Sequence, residues 1–287
     1  MAIIFDCEKI ATHHLALARL RNYPFKPHLT IIRKGDDSAS IAYEKAIKKT
    51  AKAIDVCVES ALVKKESELI QKIKELNLNP DINGIILLAP LNCSLPDYEF
   101  ANLVHPSKDI EGRNAINLGY LYQFKKFLNE EKGVKCVVPA TAKAAVKILQ
   151  YYQLPKEPSF ITILNDSAIV GRPLGTMLKN LSSTVVNCHI GTKKEDLECC
   201  IENADYLITA VPNPNFKINS KLVKKGAAIM DISYEGNIDH SSLMQKASYI
   251  TPEKGGKGVG KVTTSMIFTN LNYCCERQYL LKEDNQK

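Results

Sequence analysis

The chain lacks the features that mark membrane proteins and metalloproteins. No run of apolar residues approaches the ~20 that a membrane-spanning helix needs, so we expect no membrane span. The nine cysteines include no Cys-x-x-Cys motif, and two adjacent pairs, Cys199-Cys200 and Cys274-Cys275, lie in segments of helical composition. An odd number of cysteines with this spacing favours reduced thiols and no metal site.

A dense basic tract is also missing, although the formal net charge is +7. Lysines and arginines spread along a chain are typical of a solvated surface, with a modest attraction for anionic ligands as the alternative. Nucleic-acid binding is not indicated. The chain starts Met-Ala-Ile-Ile-Phe-Asp, without the positive and long apolar segments of an export signal, so we expect a cytoplasmic protein.

Strand-like and helix-like segments alternate along the 287 residues, which predicts an α/β protein of two domains with parallel sheets. In the first half the predicted strands are 29–32, 56–61 and 84–89, and the predicted helices are 8–22, 38–54 and 66–76. The pattern restarts near residue 139, with a helix at 140–152, strands starting at 160, 184, 206 and 227, and a last helix at 263–281. Ligands of such sheets bind beyond the carboxyl ends of the strands.

Residues 160–175 form a predicted strand–turn–helix junction, where α/β proteins bind nucleotide phosphates on the backbone N–H groups of the helix N-terminus. The common fingerprint Gly-x-Gly-x-x-Gly is absent. Asn165-Asp166-Ser167 and Val170-Gly171-Arg172-Pro173 stand in its place. The junction therefore predicts nucleotide binding by a loop of a more particular kind.

Five motifs lie in order between residues 29 and 273. They are Gly35 with Ser40-Ile41-Ala42-Tyr43, then Asn83–Leu91, then Lys108-Asp109-Ile110-Glu111-Gly112 with Asn117, then Ser167-x-Ile169-Val170-Gly171-Arg172-Pro173, and last Tyr249-Ile250-Thr251-Pro252 with Gly255-Gly256 and Thr263. Together they resemble the methylenetetrahydrofolate dehydrogenase/methenyltetrahydrofolate cyclohydrolase family, and most closely its monofunctional NAD-dependent dehydrogenase branch.

This resemblance implies two domains and a reaction. Residues 1–139 and 264–287 would form an N-terminal α/β folate-binding domain, to which the C-terminal helix returns, and residues 140–263 a Rossmann-like NAD(P)-binding domain. The implied reaction transfers a hydride from 5,10-methylenetetrahydrofolate, a tetrahydrofolate one-carbon derivative, to NAD(P). The resemblance also implies a homodimer.

The family's site residues can be placed on this chain. Tyr43 would orient the folate and Glu111 would bind its pterin ring, while Pro252, Gly255 and Gly256 would form a wall of the folate site. For Tyr43 the alternative is a helix residue that only packs between domains. The residues implied for the nucleotide are Asn165, Asp166, Ser167, Ile169, Val170, Arg172, Pro173, His189, Val211, Pro212, Ser233 and Thr263.

The chain departs from the family pattern at three substrate-site positions. Bifunctional members have a proton-transferring Lys four residues after the Tyr, on the same helix face, but this chain has Ile47 there. Leu88 replaces the Gln that hydrogen-bonds this Lys, and Glu111 replaces an Asp. Hydride transfer needs no general base, whereas water attack on the methenyl product needs proton transfer. We therefore expect cyclohydrolase activity to be absent or weak.

The cofactor is expected to be NAD, with NADP as the alternative. Asp166 stands where NADP-using members have an Arg, and its carboxylate would repel a 2′-phosphate and accept a hydrogen bond from a free 2′-OH. His189-Ile190-Gly191-Thr192 lacks the family's phosphate-binding Ser or Arg, although Lys193 and Lys194 follow directly.

Three hypotheses follow, and the first is a monofunctional, NAD-dependent methylenetetrahydrofolate dehydrogenase. The second is a folate- or dinucleotide-binding paralogue without catalysis. Two observations support this alternative: the substitutions at the substrate site, and the presence of Ala140 and Ala142 where the family has Cys and Pro. The third is a bifunctional enzyme in which Lys48, about 100° around the helix from the required face, replaces the missing lysine.

Overall fold

The computed structural model describes residues 1–19, 23–155, 157–234, 236–253 and 258–284, the last four without their side chains. The chain divides into two compact units. The six-stranded unit comprises Met1–Thr12 and Thr141–Thr263, and the three-stranded unit comprises His13–Ala140 and the chain from Thr264 onward. Each is named after its larger sheet.

The strands in chain order are β1 (Ile3–Ile4), β2 (His28–Lys34), β3 (Cys57–Val63), β4 (Gly84–Leu88), β5 (Phe127–Asn129), β6 (Val134–Lys135), β7 (Phe160–Leu164), β8 (Thr184–Cys188), β9 (Tyr206–Thr209), β10 (Ala228–Asp231) and β11 (Tyr249–Ile250). The helices are α1 (Cys7–Arg19), α2 (Ser38–Ala53), α3 (Glu66–Leu78), α4 (Asp97–Leu103), α5 (Ala115–Tyr122), α6 (Ala140–Tyr151), α7 (Gly171–Lys179), α8 (Lys194–Asn203), α9 (His240–Leu243) and α10 (Val259–Asp284).

The three-stranded unit is built on a parallel sheet of order β3-β2-β4, together with the antiparallel hairpin β5-β6. Its core packs the strand residues Ile32 and Ile85 against Leu69 and Ile73 of α3, all at most 1% exposed. Leu69 and Ile73 are four residues apart and so share one helix face. Burying each such side chain contributes about 1.5–3 kcal/mol, which fixes α3 on the sheet.

The six-stranded unit contains a parallel sheet of order β1-β11-β10-β9-β7-β8. Its inner strands β7, β9 and β10 are mainly apolar and buried, as is typical of a sheet covered on both faces, and Leu207, Ile229 and Ile250 are completely buried in its core. After β7 the chain first builds β8 on one side and then β9 on the other. The strand order therefore reverses between β7 and β9, and a crevice forms at the carboxyl ends of strands at such a reversal.

The expected assignment of residues 1–139 to a single domain is wrong for its first twelve residues. Met1–Thr12 belong to the six-stranded unit, because β1 pairs in parallel with β11 at the edge of that sheet. The ring of Phe5 stacks on Tyr249, with centroids 5.5 Å apart and planes 13° from parallel. The Asp6 N–H also donates to the Tyr152 hydroxyl at 2.7 Å.

Several short elements were not predicted: β1, α4, α5, β5, β6, α9 and β11. They are too short to show a periodic apolar pattern in the sequence. Helix α10 begins at Val259, one turn before the predicted start at residue 263. The predicted first helix ends at Arg19 within the described residues, and its expected continuation over residues 20–22 lies outside them.

In the described part of the chain, no helix is both long enough and apolar enough to cross a membrane. The same residues include no group of three or more His, Cys, Asp or Glu side chains placed to hold a metal ion.

Candidate functional site

Helix α2 carries Tyr43 and is fixed at its N-terminus by two side chains. The Asp37 carboxylate caps the helix by accepting the Ser40 N–H at 2.8 Å. The Ser40 hydroxyl in turn donates to the backbone carbonyl of Ala89, directly after β4, at 2.8 Å. Tyr43 is half-buried one turn further on. Its position relative to the end of β4 is therefore set by the cap.

The two positions that replace the family's Lys and Gln are apolar and closed to solvent. Ile47, one turn after Tyr43 on α2, is completely buried, and Leu88, the last residue of β4, is 2% exposed. No proton can be exchanged with either side chain. The structure therefore places packing groups where resemblance implies proton chemistry in bifunctional members.

The neighbouring Lys48 belongs to a different row of side chains. Its ammonium donates to the Glu44 carboxylate at 2.7 Å, an i,i+4 pair on α2. Glu44 also accepts the Ser60 hydroxyl at 2.6 Å and the Arg33 Nε–H at 3.1 Å. Burial by itself would raise the pKa of Glu44, but hydrogen bonds from Lys48, Ser60 and Arg33 lower it to about 2. Lys48 thus has a fully ionised partner one turn back on the helix.

The segment that carries Glu111 is fixed to the unit by a buried lysine and a buried carboxylate. The Lys108 ammonium donates to the carbonyls of Leu76, Asn77 and Asn79 at 2.6–2.9 Å, and so caps the C-terminal end of α3. The Asp109 carboxylate accepts the Asn114 N–H at 2.8 Å. It also accepts the Asn117 side-chain amide at 2.9 Å. Burial nevertheless raises the pKa of Asp109.

Glu111 and Arg113 lie together beside the outer edge of β4. Arg113 Nη1 donates to Glu111 Oε2 and to the Leu87 carbonyl, both at 3.4 Å, and its side chain is only 9% exposed. Burial raises the pKa of Glu111, and Arg113 and the Leu87 N–H act against this rise. Burial and the nearby Glu111 charge raise the pKa of Tyr43. Tyr43 and Glu111, both predicted to contact the folate, thus lie near enough for the Glu111 charge to act on the Tyr43 hydroxyl.

Gly112 makes this arrangement possible. Its φ is +71°, and a Cβ at this position would lie 2.4 Å from the carbonyl carbon of Val138 and 2.6 Å from the nitrogen of Pro139. Only glycine fits such a turn against a neighbouring backbone. Sequence reasoning missed Arg113, although its position two residues after the predicted Glu111, across a glycine, was a usable signal.

In the six-stranded unit, Asn165 organises the loop after β7. Its side-chain oxygen accepts the Ser167 and Gly171 N–H groups, both at 2.9 Å, and its side-chain amide donates to Ala210, after β9, at 2.8 Å. The Ser167 hydroxyl accepts the Val170 N–H at 3.1 Å. The loop is therefore tied across the reversal point of the sheet, directly before the N-terminus of α7.

Gly171, the first residue of α7, touches this loop. A Cβ there would lie 2.1 Å from the Asn165 carbonyl oxygen, so no other residue fits without a backbone shift. The close approach packs the loop against the N-terminus of α7 at the reversal point of the parallel sheet, where α/β folds bind dinucleotides. The position of this loop thus fits the nucleotide that the sequence predicts.

Asp166 and Arg172 form an ion pair on this loop. Arg172 Nη2 and Nε donate to the same carboxylate oxygen of Asp166 at 3.0 and 3.1 Å. The Arg172 side chain is 67% exposed, so the pair lies at the surface of the unit. The positive charge of Arg172 is consequently matched by a carboxylate and is not available alone to an anion.

A buried asparagine that the sequence did not single out connects the loops after β9 and β10. The side chain of Asn237, completely buried, accepts the Thr209 hydroxyl at 2.7 Å and the Val211 N–H at 2.9 Å. Its own N–H donates to Asp231 at 2.6 Å. Asp231 also accepts the Ser233 N–H and hydroxyl at 2.9 and 2.6 Å. Val211 and Ser233, both predicted to contact the nucleotide, are thus held by one network.

The other predicted nucleotide and folate positions differ in exposure. Ile169, His189 and Pro212 are exposed, Pro252 is half-buried, and Pro173 and Thr263 are buried. The Thr263 hydroxyl donates to the Val259 carbonyl of its own helix at 3.2 Å. Gly255 and Gly256, predicted for the folate site, lie outside the described residues.

Comparison with known proteins matches both units. Residues 7–111 match the model of the tetrahydrofolate dehydrogenase/cyclohydrolase catalytic domain, and residues 139–279 match the NAD(P)-binding domain of the same family. The bifunctional protein FolD of Clostridium tetani (strain Massachusetts / E88) is 32% identical over 255 residues, which cover 85% of this chain and 87% of that protein.

Solved structures of proteins named as members of this family are similar to the chain over nearly its whole length. The bifunctional FolD of Campylobacter jejuni is 27% identical with a TM-score of 0.85, over 96% of this chain and all of that chain. A 5,10-methylenetetrahydrofolate dehydrogenase from the silkworm Bombyx mori is 26% identical with a TM-score of 0.84, over 97% of this chain and 99% of that one.

The substitution Gly171→Ala tests the role of the loop after β7. The added methyl group must displace the Asn165 backbone, so we expect dinucleotide affinity to fall at least tenfold and the melting temperature to fall as well. Gly119→Ala is the matched control, since a Cβ there meets nothing within 4 Å on helix α5 and alanine favours a helix. Calorimetric titration with NAD and thermal unfolding measure both effects. Unchanged affinity in Gly171→Ala would exclude this loop from the nucleotide site.

Proposed function

The chain belongs to the tetrahydrofolate dehydrogenase/cyclohydrolase family, and from this premise we propose that it is a monofunctional methylenetetrahydrofolate dehydrogenase. It would oxidise 5,10-methylenetetrahydrofolate with NAD, and would hydrolyse the methenyl product slowly or not at all. The homodimer and the cytoplasmic location expected from the sequence stay predictions.

One observation carries the monofunctional part of the proposal: the α2 face that presents Tyr43 has no proton-transferring group one turn later. Ile47 is completely buried at that position, and Leu88 is 2% exposed. Lys48 is paired with Glu44 at 2.7 Å, which argues against a relocated lysine. The Clostridium and Campylobacter relatives are named bifunctional, so loss of the hydrolytic step is inferred from the residues of this chain alone.

The dehydrogenase part needs binding and orientation more than acid–base chemistry. When bound, the nicotinamide ring supplies the hydride acceptor. Glu111 would accept hydrogen bonds from the pterin N–H groups, and the half-buried Tyr43 would orient the folate. Asn165 fixes the loop before α7, beside which the pyrophosphate would bind. Holding both reactants in place lowers the barrier to such a transfer.

An absorbance assay tests the proposal directly. Purified protein with 5,10-methylenetetrahydrofolate and NAD should form NADH and methenyltetrahydrofolate in equal amounts, and added methenyltetrahydrofolate should disappear no faster than without protein. Rapid methenyl hydrolysis would contradict the monofunctional assignment. Tight folate binding with no NADH formation would favour the non-catalytic paralogue.

Restoring the missing pair is a second test. In the double variant Ile47→Lys/Leu88→Gln we expect methenyl hydrolysis at least tenfold above the unmodified chain, because the amide can orient the new amine beside Tyr43. Neither single substitution should suffice, since an unpartnered polar group at either buried position costs about 1–3 kcal/mol and lacks its orienting partner. Ile47→Met, which keeps an apolar side chain, is the control. Equal hydrolysis in Ile47→Lys alone would show that the Gln is not needed.

The preference for NAD is supported by the Asp166–Arg172 pair. The carboxylate repels a 2′-phosphate and holds the one guanidinium of the described loop at 3.0 Å. It can accept a hydrogen bond from a free ribose 2′-OH, which NAD has and NADP lacks.

The substitution Asp166→Ala should therefore change cofactor choice. We expect the ratio of kcat/KM for NADP to that for NAD to rise about tenfold, since the repulsion is removed and Arg172 is released. Asp205→Ala is the matched control. It removes an aspartate that is also paired with a cation, Lys224 at 2.6 Å, but at the amino end of β9. Steady-state kinetics with both cofactors give the ratio, and an equal change in both variants would refute a role for Asp166.

A further inference from the structure

Glu111 and Arg113 are anchored along the outer edge of β4, the side that faces away from β2. The Ile85 N–H donates to the Lys108 carbonyl at 2.8 Å, away from the neighbouring strand β2. Backbone groups two residues apart on a strand point the same way, so Leu87 also faces this edge. The Leu87 carbonyl accepts Arg113 Nη1 at 3.4 Å, and the Leu87 N–H helps to hold the pKa of Glu111 down. The backbone bridge between Ile85 and Asp109 thus covers the first part of the β4 edge, and the Glu111–Arg113 ion pair covers the next part at Leu87.

Within the described part of the chain, the titratable groups shown to interact with the Glu111 carboxylate are Arg113 two residues on, Asp109 on the same segment and Tyr43 on α2. Asp109 is also a buried carboxylate, while the Lys108 ammonium is directed to the end of α3. Among the described residues, Arg113 is the cation in contact with Glu111.

The hydrogen bonds of Arg113 are weak for a buried guanidinium. A guanidinium has five N–H donors, and a buried one is costly unless it is paired. Here one nitrogen makes both hydrogen bonds, each long at 3.4 Å. An arginine kept at 9% exposure by such weak contacts contributes its charge more than its hydrogen bonds.

We propose that Arg113 is a positioning residue that keeps Glu111 ionised and clamped at the edge of β4, ready to accept the N–H donors of the substrate's pterin ring, an inference that rests on the proposed function. A glutamate has one more rotatable bond than the aspartate of the family pattern and loses more freedom when it binds. The clamp removes that freedom in advance. Ionisation matters equally, because a protonated carboxyl would present a donor to the pterin donors.

The pH dependence of kcat/KM for 5,10-methylenetetrahydrofolate, at saturating NAD, tests this role. The pKa of Glu111 is already raised by burial, and Arg113 opposes the rise, so losing Arg113 raises it further. Productive binding needs the carboxylate and is lost as pH falls through that pKa. The acid limb is the low-pH side of the kcat/KM profile, where activity falls as Glu111 takes up a proton. In Arg113→Met we therefore expect this acid limb to move at least one pH unit upward. KM should rise at least tenfold, with kcat changed less.

Two further variants separate charge from structure. Arg113→Lys keeps the charge and should leave the acid limb in place, with a smaller rise in KM. Arg33→Met removes another poorly exposed arginine of the same unit, paired with Glu44 and Asp36. It should lower the melting temperature and leave the limb unmoved. In a Glu111→Gln background, Arg113→Met should add less than twofold to the loss, because its effect passes through Glu111.

The outcomes distinguish this inference from the proposed function. An active parent chain whose Arg113→Met variant keeps its acid limb and KM, while melting earlier, would reduce Arg113 to an edge-capping residue. A parent chain that forms no NADH would refute the dehydrogenase itself. In that case calorimetric titration across the same pH range still measures how tetrahydrofolate affinity falls at low pH. If this fall occurs at the same pH in Arg113→Met as in the parent chain, the inference is overturned without any measurement of turnover.

Discussion

Both units depend on the direction in which their strands pair. The two larger sheets are parallel throughout their described pairs, so all strands of a sheet end at one edge, and the loops that follow them are neighbours even when they are far apart in sequence. Asn165 reaches Ala210 across 45 residues for this reason. Ser40 reaches Ala89 across 49. An antiparallel sheet would divide these loops between two edges, and neither candidate site would form.

The outermost strand of a sheet also has N–H and C=O groups along its free side, and these need hydrogen-bond partners. At β4 the structure uses the Lys108–Asp109 backbone first and the side chains of Glu111 and Arg113 next. The pair that completes the strand edge thus includes Glu111, the carboxylate proposed to bind the substrate, and Arg113, the residue proposed to position it. This double use explains why a carboxylate and a guanidinium occur beside an apolar strand, where two charged groups would otherwise be expensive.

Much of this could be read from the sequence, and the reasons differ between fold and site. The α/β alternation is confirmed because long apolar strands and amphipathic helices carry periodic patterns. The family is confirmed because its motifs occur in order over both units. The placement of residues 1–12 was wrong because a two-residue strand has no pattern, and its pairing with β11 spans almost the whole chain. Asn237 was missed because its partners Thr209 and Val211 are far from it in sequence. Arg113 was missed although it lies two residues after Glu111, because its contact with Leu87 is not visible in local spacing.

The sequence by itself determined that position 47 follows Tyr43 by one helical turn and that the residue there is an isoleucine, since helix geometry is local and regular. It likewise determined that a carboxylate precedes Arg172 by six residues on the phosphate loop. Only the tertiary structure decided that Lys48 is held by Glu44 with Ser60 and Arg33, that Asp166 neutralises Arg172, and that Arg113 rests against both Glu111 and Leu87. These contacts depend on distances between side chains brought together by folding, and no spacing along the chain specifies them.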